Sequence, residues 1–207
     1  MSWSATLAAY LVEGGGSKSF EHVKRMIYGD PASAHRLLDK CAAMLEGYLL
    51  AQVRAGAQAI QVFDTWAGLL GPAEYREFAL RPAKRVLDAL AGSGVPRIYF
   101  ALDAAHLLEE VRECGADVVG LDWRTPIMEG ARRLGPAYAL QGNLDPCALL
   151  APPSVIAEHA RRIVAEGLKA PGHVFNLGHG ILPQTPVEHA QALVEAVRGA
   201  AVMERKP

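Results

Sequence analysis

Residues 173–186 read HVFNLGHGILPQTP, and the fold turns on how that stretch divides. A short apolar run, Val174-Phe175, leads through Asn176-Leu177 to His179, which stands between Gly178 and Gly180. Glycine permits backbone angles closed to other residues and puts no side chain beside the histidine ring. Thr185-Pro186 then has the composition of a helix start, with Glu188 three residues after Thr185 as in a capping box. The order is strand, glycine-flanked histidine, helix. In an α/β protein it places His179 at the end of a strand, where ligands bind. A solvated histidine in a tight connection has the same pattern, and at this point both readings stand.

The same alternation recurs upstream. Asp30-Pro31 is a cap residue followed by proline at the first helical position, and Leu37, Leu38, Cys41, Leu45, Tyr48 and Leu49 follow at helical spacing up to Gly56. Residues 59–63 (AIQVF) predict a buried strand ending in Asp64-Thr65. Gly71-Pro72 opens a helix to about Leu90, with Pro82 expected to kink it. Residues 95–102 predict a second strand ending at Asp103, and residues 104–114 a helix closed by Gly115. Residues 118–121 form a third strand, followed by Asp122-Trp123, and Thr125-Pro126 caps a short helix to about Leu134. Residues 137–141 form a fourth strand, followed by Gly142-Asn143-Leu144-Asp145-Pro146. A helix over 155–166, the strand before His179 and a helix from Pro186 to about Val197 complete the chain, whose final residues are expected to fray.

Strands alternating with helices over short connections imply a parallel sheet covered by helices. No repeat or linker divides the chain, so residues 1–207 are expected to form a single domain. Asp64 and Thr65, Asp103, Asp122, Asn143 and Asp145, and His179 fall after successive strands. That end is the active face of a (β/α)8 barrel, although Asp and Asn there also cap following helices, which suits Asp103 well. About five strands are evident where a closed barrel has eight in about 250 residues. The expected class is therefore α/β, a parallel (β/α)8 TIM-barrel type that is incomplete in this chain.

Composition narrows the function. Hydrophobic residues make up 51% and charged residues 21% of 207, the balance of a folded domain. A net charge of −1 argues against nucleic acid or an anionic membrane as the partner. Cys41, Cys114 and Cys147 are far apart and odd in number, which suggests three buried thiols without disulfide or zinc. No apolar run approaches the roughly 20 residues of a membrane span, and the start lacks a signal-peptide pattern, so a cytoplasmic protein is expected. Gly14-Gly15-Gly16 followed by Ser17-Lys18-Ser19 brings a phosphate loop to mind, but Ser17 breaks the required spacing and no strand precedes it.

Four stretches carry a family resemblance: residues 10–18 (YLVEGGGSK), residues 56–66 with 75–78 (GAQAIQVFDTW and YREF), residues 120–123 with 140–146 (GLDW and LQGNLDP), and residues 175–183 with Thr185-Pro186 (FNLGHGILP and TP). In these and in their order the chain resembles the uroporphyrinogen decarboxylases. The resemblance implies a homodimeric (β/α)8 barrel that acts on a tetrapyrrole. It removes carbon dioxide from the four acetate arms of uroporphyrinogen III, giving coproporphyrinogen III, with neither cofactor nor metal. It also assigns substrate-pocket roles to Tyr10, Thr65 and His179, flanked by Phe63 and Asp64.

The resemblance covers the later part of the family's chain. The family's arginine pair and its aspartate facing the pyrrole NH groups have no counterpart here, so the catalytic residue is unassigned and little activity is expected of the chain alone. Two other readings remain. A zinc-dependent methyltransferase of the same superfamily would need a His/Cys cluster, yet no cysteine lies near His179 in sequence. A non-catalytic porphyrin-binding remnant would expose sheet edges and associate.

Overall fold

The computed structural model describes residues 4–14, 17 and 19–203. Gly15, Gly16 and Lys18 of the phosphate-loop-like stretch, and residues 204–207 of the end expected to fray, lie outside that set, whereas residues 198–203 are helical. The chain divides into two compact units, Met1–Val118 and Val119–Pro207.

The first unit opens with helices α1 (Ser4–Glu13), α2 (Glu21–Gly29) and α3 (Pro31–Arg54). The start of α3 is as the sequence predicts: the Asp30 carboxylate accepts from the Ser33 N–H at 3.1 Å, with Pro31 in the first turn. Its Leu38, Cys41, Leu45 and Leu49 are buried at three- and four-residue spacing. Of these, Leu38 and Cys41 share a core with Ala8, Ile27, Ala34 and Phe78. Helix α2 was not expected, and Glu13 of α1 steadies it by accepting from the Val23 N–H at 3.0 Å.

Strand β1 (Ile60–Asp64) pairs in parallel with β2 (Arg97–Ala101), running from Ile60 opposite Arg97 to Asp64 opposite Ala101. Between them lie a 3-10 turn (Ala67–Leu69), α4 (Pro72–Glu74), a π-helical stretch (Tyr75–Leu80) and α5 (Arg81–Ala89). The irregularity expected at Pro82 takes the form of that π stretch. Proline has no N–H with which to close the bond to residue 78, and the backbone widens immediately before it. The helix expected over 104–114 is a 3-10 turn (Ala105–Leu107) followed by a single turn of α6 (Leu108–Val111). Its cap position falls on Ala104, one residue after Asp103, which adopts a left-handed φ of 56°.

Strand β3 (Val118–Gly120) begins where the units divide. The ladder in the first unit reaches its start through Asp117 N–H to Arg97 O at 2.9 Å. The ladder in the second leaves its end through Leu121 N–H to Gln141 O at 2.8 Å. The second unit holds α7 (Ile127–Leu134), β4 (Ala139–Leu144), α8 (Pro153–Gly167), β5 (His173–Leu177) and α9 (Val187–Met203). Strands β4 and β5 are parallel, Leu140 opposite His173 through Leu144 opposite Leu177. Strand neighbours thus follow chain order, β1 to β5. That is the succession of a (β/α)8 barrel, with five strands among the described residues.

Three local expectations for this unit are corrected. Strand β4 continues through Gly142 and Asn143, which the sequence had placed in the following loop. Thr125 stands one position before the cap of α7, which is Pro126. The capping box at α9 does not form: the Thr185 Oγ1 is buried without a partner among the described residues, and the Pro186 carbonyl accepts from the His189 and Ala190 N–H groups instead. Of the cysteines, Cys41 and Cys114 are buried, whereas Cys147 is exposed. No helix among the described residues is long and apolar enough to cross a membrane.

Candidate active site

Strand β1 alternates cleanly. Ile60, Val62 and Asp64 point inward, and Phe63 is half-buried with its ring edge-on to Phe100 at 6.0 Å. Thr65 and Trp66 follow at the strand's C-terminal end. Tyr10, on the last turns of α1 and 44% exposed, meets the Trp66 ring edge-on at 6.3 Å. Phe20 lies against the same indole at 4.6 Å. Tyr10 thus packs on Trp66, the chain neighbour of Thr65. Gly68 is needed just beyond: a Cβ there would run into the carbonyl oxygens of Leu102 and Asp103, so the loops after β1 and β2 touch backbone to backbone.

Beneath this cluster Asp64, which the resemblance set at the flank of the pocket, has partners that sequence reasoning missed. Asp64 has no solvent exposure. One carboxylate oxygen accepts from the Thr6 hydroxyl at 3.1 Å and the other from the Tyr99 hydroxyl at 3.2 Å, while the Tyr75 hydroxyl lies 3.0 Å from that of Tyr99. Burial pushes the Asp64 pKa up to about 7, against the lowering effect of its two hydrogen bonds. Burial also holds Tyr75 and Tyr99 well above the usual phenol range. The period-two pattern of β1 was the available signal, because it puts Asp64 on the same face as Ile60 and Val62.

In the second unit, His179 is exposed, two residues past the end of β5. Neither flanking glycine has the left-handed angle expected of it. Gly178 is required for close approach instead: a Cβ there would sit 2.6 Å from the Trp123 backbone nitrogen, whereas Gly180 faces open space. The loops after β3 and β5 thus meet at Gly178. The remaining polar strand ends of this unit serve the backbone. Asp122, buried, accepts from the Arg124 N–H at 2.9 Å and its guanidinium at 3.1 Å, and that guanidinium lies 4.3 Å over the Trp123 ring. The Asn143 amide donates to the Asp122 and Thr125 carbonyls. Asp145 accepts from the Cys147 N–H at 2.9 Å. The His173 Nε2 lies 2.8 Å from the Gly142 carbonyl, and burial lowers its pKa below the ordinary imidazole value, so the neutral ring donates that bond.

Tyr10 and Thr65 in the first unit carry hydroxyl groups and His179 in the second an imidazole, each of a type that can hydrogen-bond a carboxylate. Among the described residues no three or more His, Cys, Asp or Glu side chains are arranged to hold a metal ion, so the donor set of a zinc-dependent methyltransferase is not assembled there.

Comparison with known proteins follows the same lines. The family model for uroporphyrinogen decarboxylase (URO-D) matches residues 3–200. The uroporphyrinogen decarboxylase of Nocardia farcinica is 51% identical over 197 residues, covering 93% of this chain and 56% of that protein. That of Streptomyces coelicolor is 48% identical over 192 residues (93% and 54%), and that of Hahella chejuensis 49% over 196 residues (93% and 55%). The chain spans about half the length of these curated relatives. Among solved structures, a methyltransferase from Methanosarcina mazei superposes with a TM-score of 0.83 over 96% of this chain and 57% of that one. At 22% identity this likeness speaks for the fold alone.

Proposed function

The chain belongs to the uroporphyrinogen decarboxylase family, and we propose that it provides the Tyr10, Thr65 and His179 part of a decarboxylase converting uroporphyrinogen III to coproporphyrinogen III. The observation that carries this reading is identity near one half, over 93% of the chain, to relatives bearing that name.

The chemistry needs no external electron sink. Each acetate arm, –CH2–COO⁻, takes up one proton net, remains on the ring as –CH3 and releases CO2. Protonation of the electron-rich pyrrole first makes the ring cationic, the electron pair of the breaking C–C bond flows into it to leave an exocyclic methylene, and that carbon then takes a proton as the ring gives its own back. The protein must hold a macrocycle with many carboxylates, present one arm at a time and stabilise the cationic ring. Tyr10, Thr65 and His179 offer hydroxyl and imidazole donors for carboxylate oxygens. The resemblance assigns the arginine pair and the aspartate to an earlier segment of the family's chain. In this reading the chain acts as one domain within a cytoplasmic homodimer.

A chimaera tests the reading. The matching segment of the Nocardia farcinica relative is replaced by this chain, and coproporphyrinogen is measured after oxidation to fluorescent porphyrin. Turnover within about tenfold of the relative is expected, and His179→Asn should lower it without moving the thermal midpoint. A folded chimaera that neither binds uroporphyrin nor turns over uroporphyrinogen would overturn the assignment.

A further inference from the structure

Asp64 has no part in the proposed chemistry, yet its burial is complete. A carboxylate without water is costly unless its oxygens are bonded, and here both are. The bonds join separate elements: Thr6 belongs to α1, Tyr99 to β2 and Tyr75 to the π stretch. Thr6 stands four residues before Tyr10, one helical turn earlier on the same side of α1. Asp64 is bonded directly to Thr65 in the chain. The Thr6–Asp64 hydrogen bond therefore ties the backbone that carries one candidate site residue to the backbone that carries the other. The edge-on contact of Tyr10 with Trp66 lies one turn above that tie.

We infer that Thr6 and Asp64 are positioning residues: through the Thr6 hydroxyl, the Asp64 carboxylate sets the seat of α1 on β1 and so the place of Tyr10 against Trp66 and beside Thr65. The geometric part stands on the structure alone. Only its consequence for substrate binding rests on the function proposed above.

The tie responds to protonation. Ionised, Asp64 accepts from both hydroxyls, and charge-assisted bonds are roughly twice as strong as neutral ones. Protonated, it must donate. A proton on the oxygen facing Tyr99 stays on Asp64 and is donated in a hydrogen bond to the Tyr99 oxygen, whose own hydrogen turns to Tyr75; a proton on the other oxygen is directed at Thr6. In each case the hold on Thr6 loses its charge. The titratable groups around the network are Tyr99, Tyr75 and, beyond them, Cys114 and Glu110, the last paired with Arg76 at 2.9 Å. With burial raising Asp64 to about 7, the change falls near neutrality. The hold is firm above that pH and loose below it.

The full chain labelled with 5-fluorotryptophan gives a test that requires no porphyrin. Its three tryptophans, Trp3, Trp66 and Trp123, give one fluorine signal each, and Trp66→Phe assigns the middle one. The Trp66 signal is expected to titrate with a midpoint near 7 and to become flat in Asp64→Asn. Thr6→Val should displace it at high pH toward its low-pH position, and Thr6→Ser should restore it. In parallel, uroporphyrin III binding should weaken about tenfold in Thr6→Val and recover in Thr6→Ser. A Trp66 signal that titrates unchanged in Asp64→Asn, or that is the same in Thr6→Val as in wild type, overturns the inference, and the Thr6 pair decides it even where Asp64→Asn does not fold. Loss of uroporphyrin binding in wild type, with the fluorine behaviour as expected, would sink the proposed function and leave the positioning role standing.

Discussion

The strand ends of the two units solve one problem in opposite ways. After β3 and β4, in the second unit, polar side chains bond mostly to nearby backbone: Asp122 takes the Arg124 N–H, and Asn143 holds the Asp122 and Thr125 carbonyls. Those groups fix loops. At the end of β1, in the first unit, Asp64 meets, among the described residues, side-chain hydroxyls from distant parts of the chain, Thr6 and Tyr99. Backbone N–H groups cannot rotate away from a carboxylate, whereas hydroxyls can reverse their role from donor to acceptor. A polar strand end set in backbone is a fixture; one set among hydroxyls remains able to change protonation.

The largest expected effect tests that distinction through pH. The folded-state pKa of Asp64 is raised from 3.8 to about 7, so the folded protein holds a proton that the unfolded chain has lost. Its contribution to stability is complete below about pH 4 and disappears as pH rises through 7, on the order of 4 kcal/mol in all. The Thr6 tie strengthens over the same range in which global stability declines, because burying the charge costs more than two hydrogen bonds return. Denaturant unfolding of wild type and Asp64→Asn at pH 5 and pH 8 should show the variant gaining on wild type at the higher pH. Parallel profiles would mean that Asp64 keeps one protonation state throughout.

The second unit should break through sterics instead. Gly178→Ala puts a methyl group 2.6 Å from the Trp123 backbone nitrogen and is expected to cost about 2–3 kcal/mol, as overpacking does. Gly180→Ala, facing open space, should stay within about 0.5 kcal/mol. Equal thermal midpoints for the two variants would show that the loops after β3 and β5 are not packed as described.

Much of this could be read from local chemistry. Asp30-Pro31 announced α3, and the apolar runs located all five strands, because caps and period-two patterns act within a few residues. Helix α2 escaped notice because EHVKRMIYG is short, charged and set behind a glycine- and serine-rich stretch. Gly142-Asn143 read as a turn because its partners, the Asp122 and Thr125 carbonyls, are 21 and 18 residues away. Tyr10, Thr65 and His179 were reached through motifs. Asp64 was visible as a buried position in β1, but Thr6 lies 58 residues from it and Tyr99 35, distances that no local pattern spans.

A smaller effect separates a buried carboxylate from a surface-facing one within the first unit. Asp117 receives the Arg97 N–H at 2.8 Å and its guanidinium at 2.9 and 2.8 Å, and hydrogen bonding to that arginine holds its pKa below the usual carboxylate value. The sign is opposite to that of Asp64: stability is present above the unfolded pKa and is lost as pH falls through the lowered one. Because Asp117 is 45% exposed, screening limits Asp117→Asn to about 1 kcal/mol at pH 7. The deficit should shrink in 1 M salt and disappear once pH has fallen through the lowered pKa. A loss independent of both would point to packing of the Arg97 stem instead.

A last contrast comes from one substitution made in both units, whose smaller member is the smallest effect of all. Thr6 and Thr185 both bury their hydroxyls, but Thr6 donates to Asp64, whereas Thr185 Oγ1 has no partner among the described residues. Valine keeps the shape of threonine and removes the hydroxyl. At Thr6 it leaves a buried carboxylate oxygen short of a donor, which costs about 1–3 kcal/mol. At Thr185 it removes a desolvated group that gives nothing back, so Thr185→Val should be neutral or stabilising by up to about 1 kcal/mol. Chemical denaturation of the two variants side by side is enough. A clear loss at Thr185 would mean that its hydroxyl is bonded, restoring the helix cap that the sequence suggested and returning that strand end to the class set in backbone.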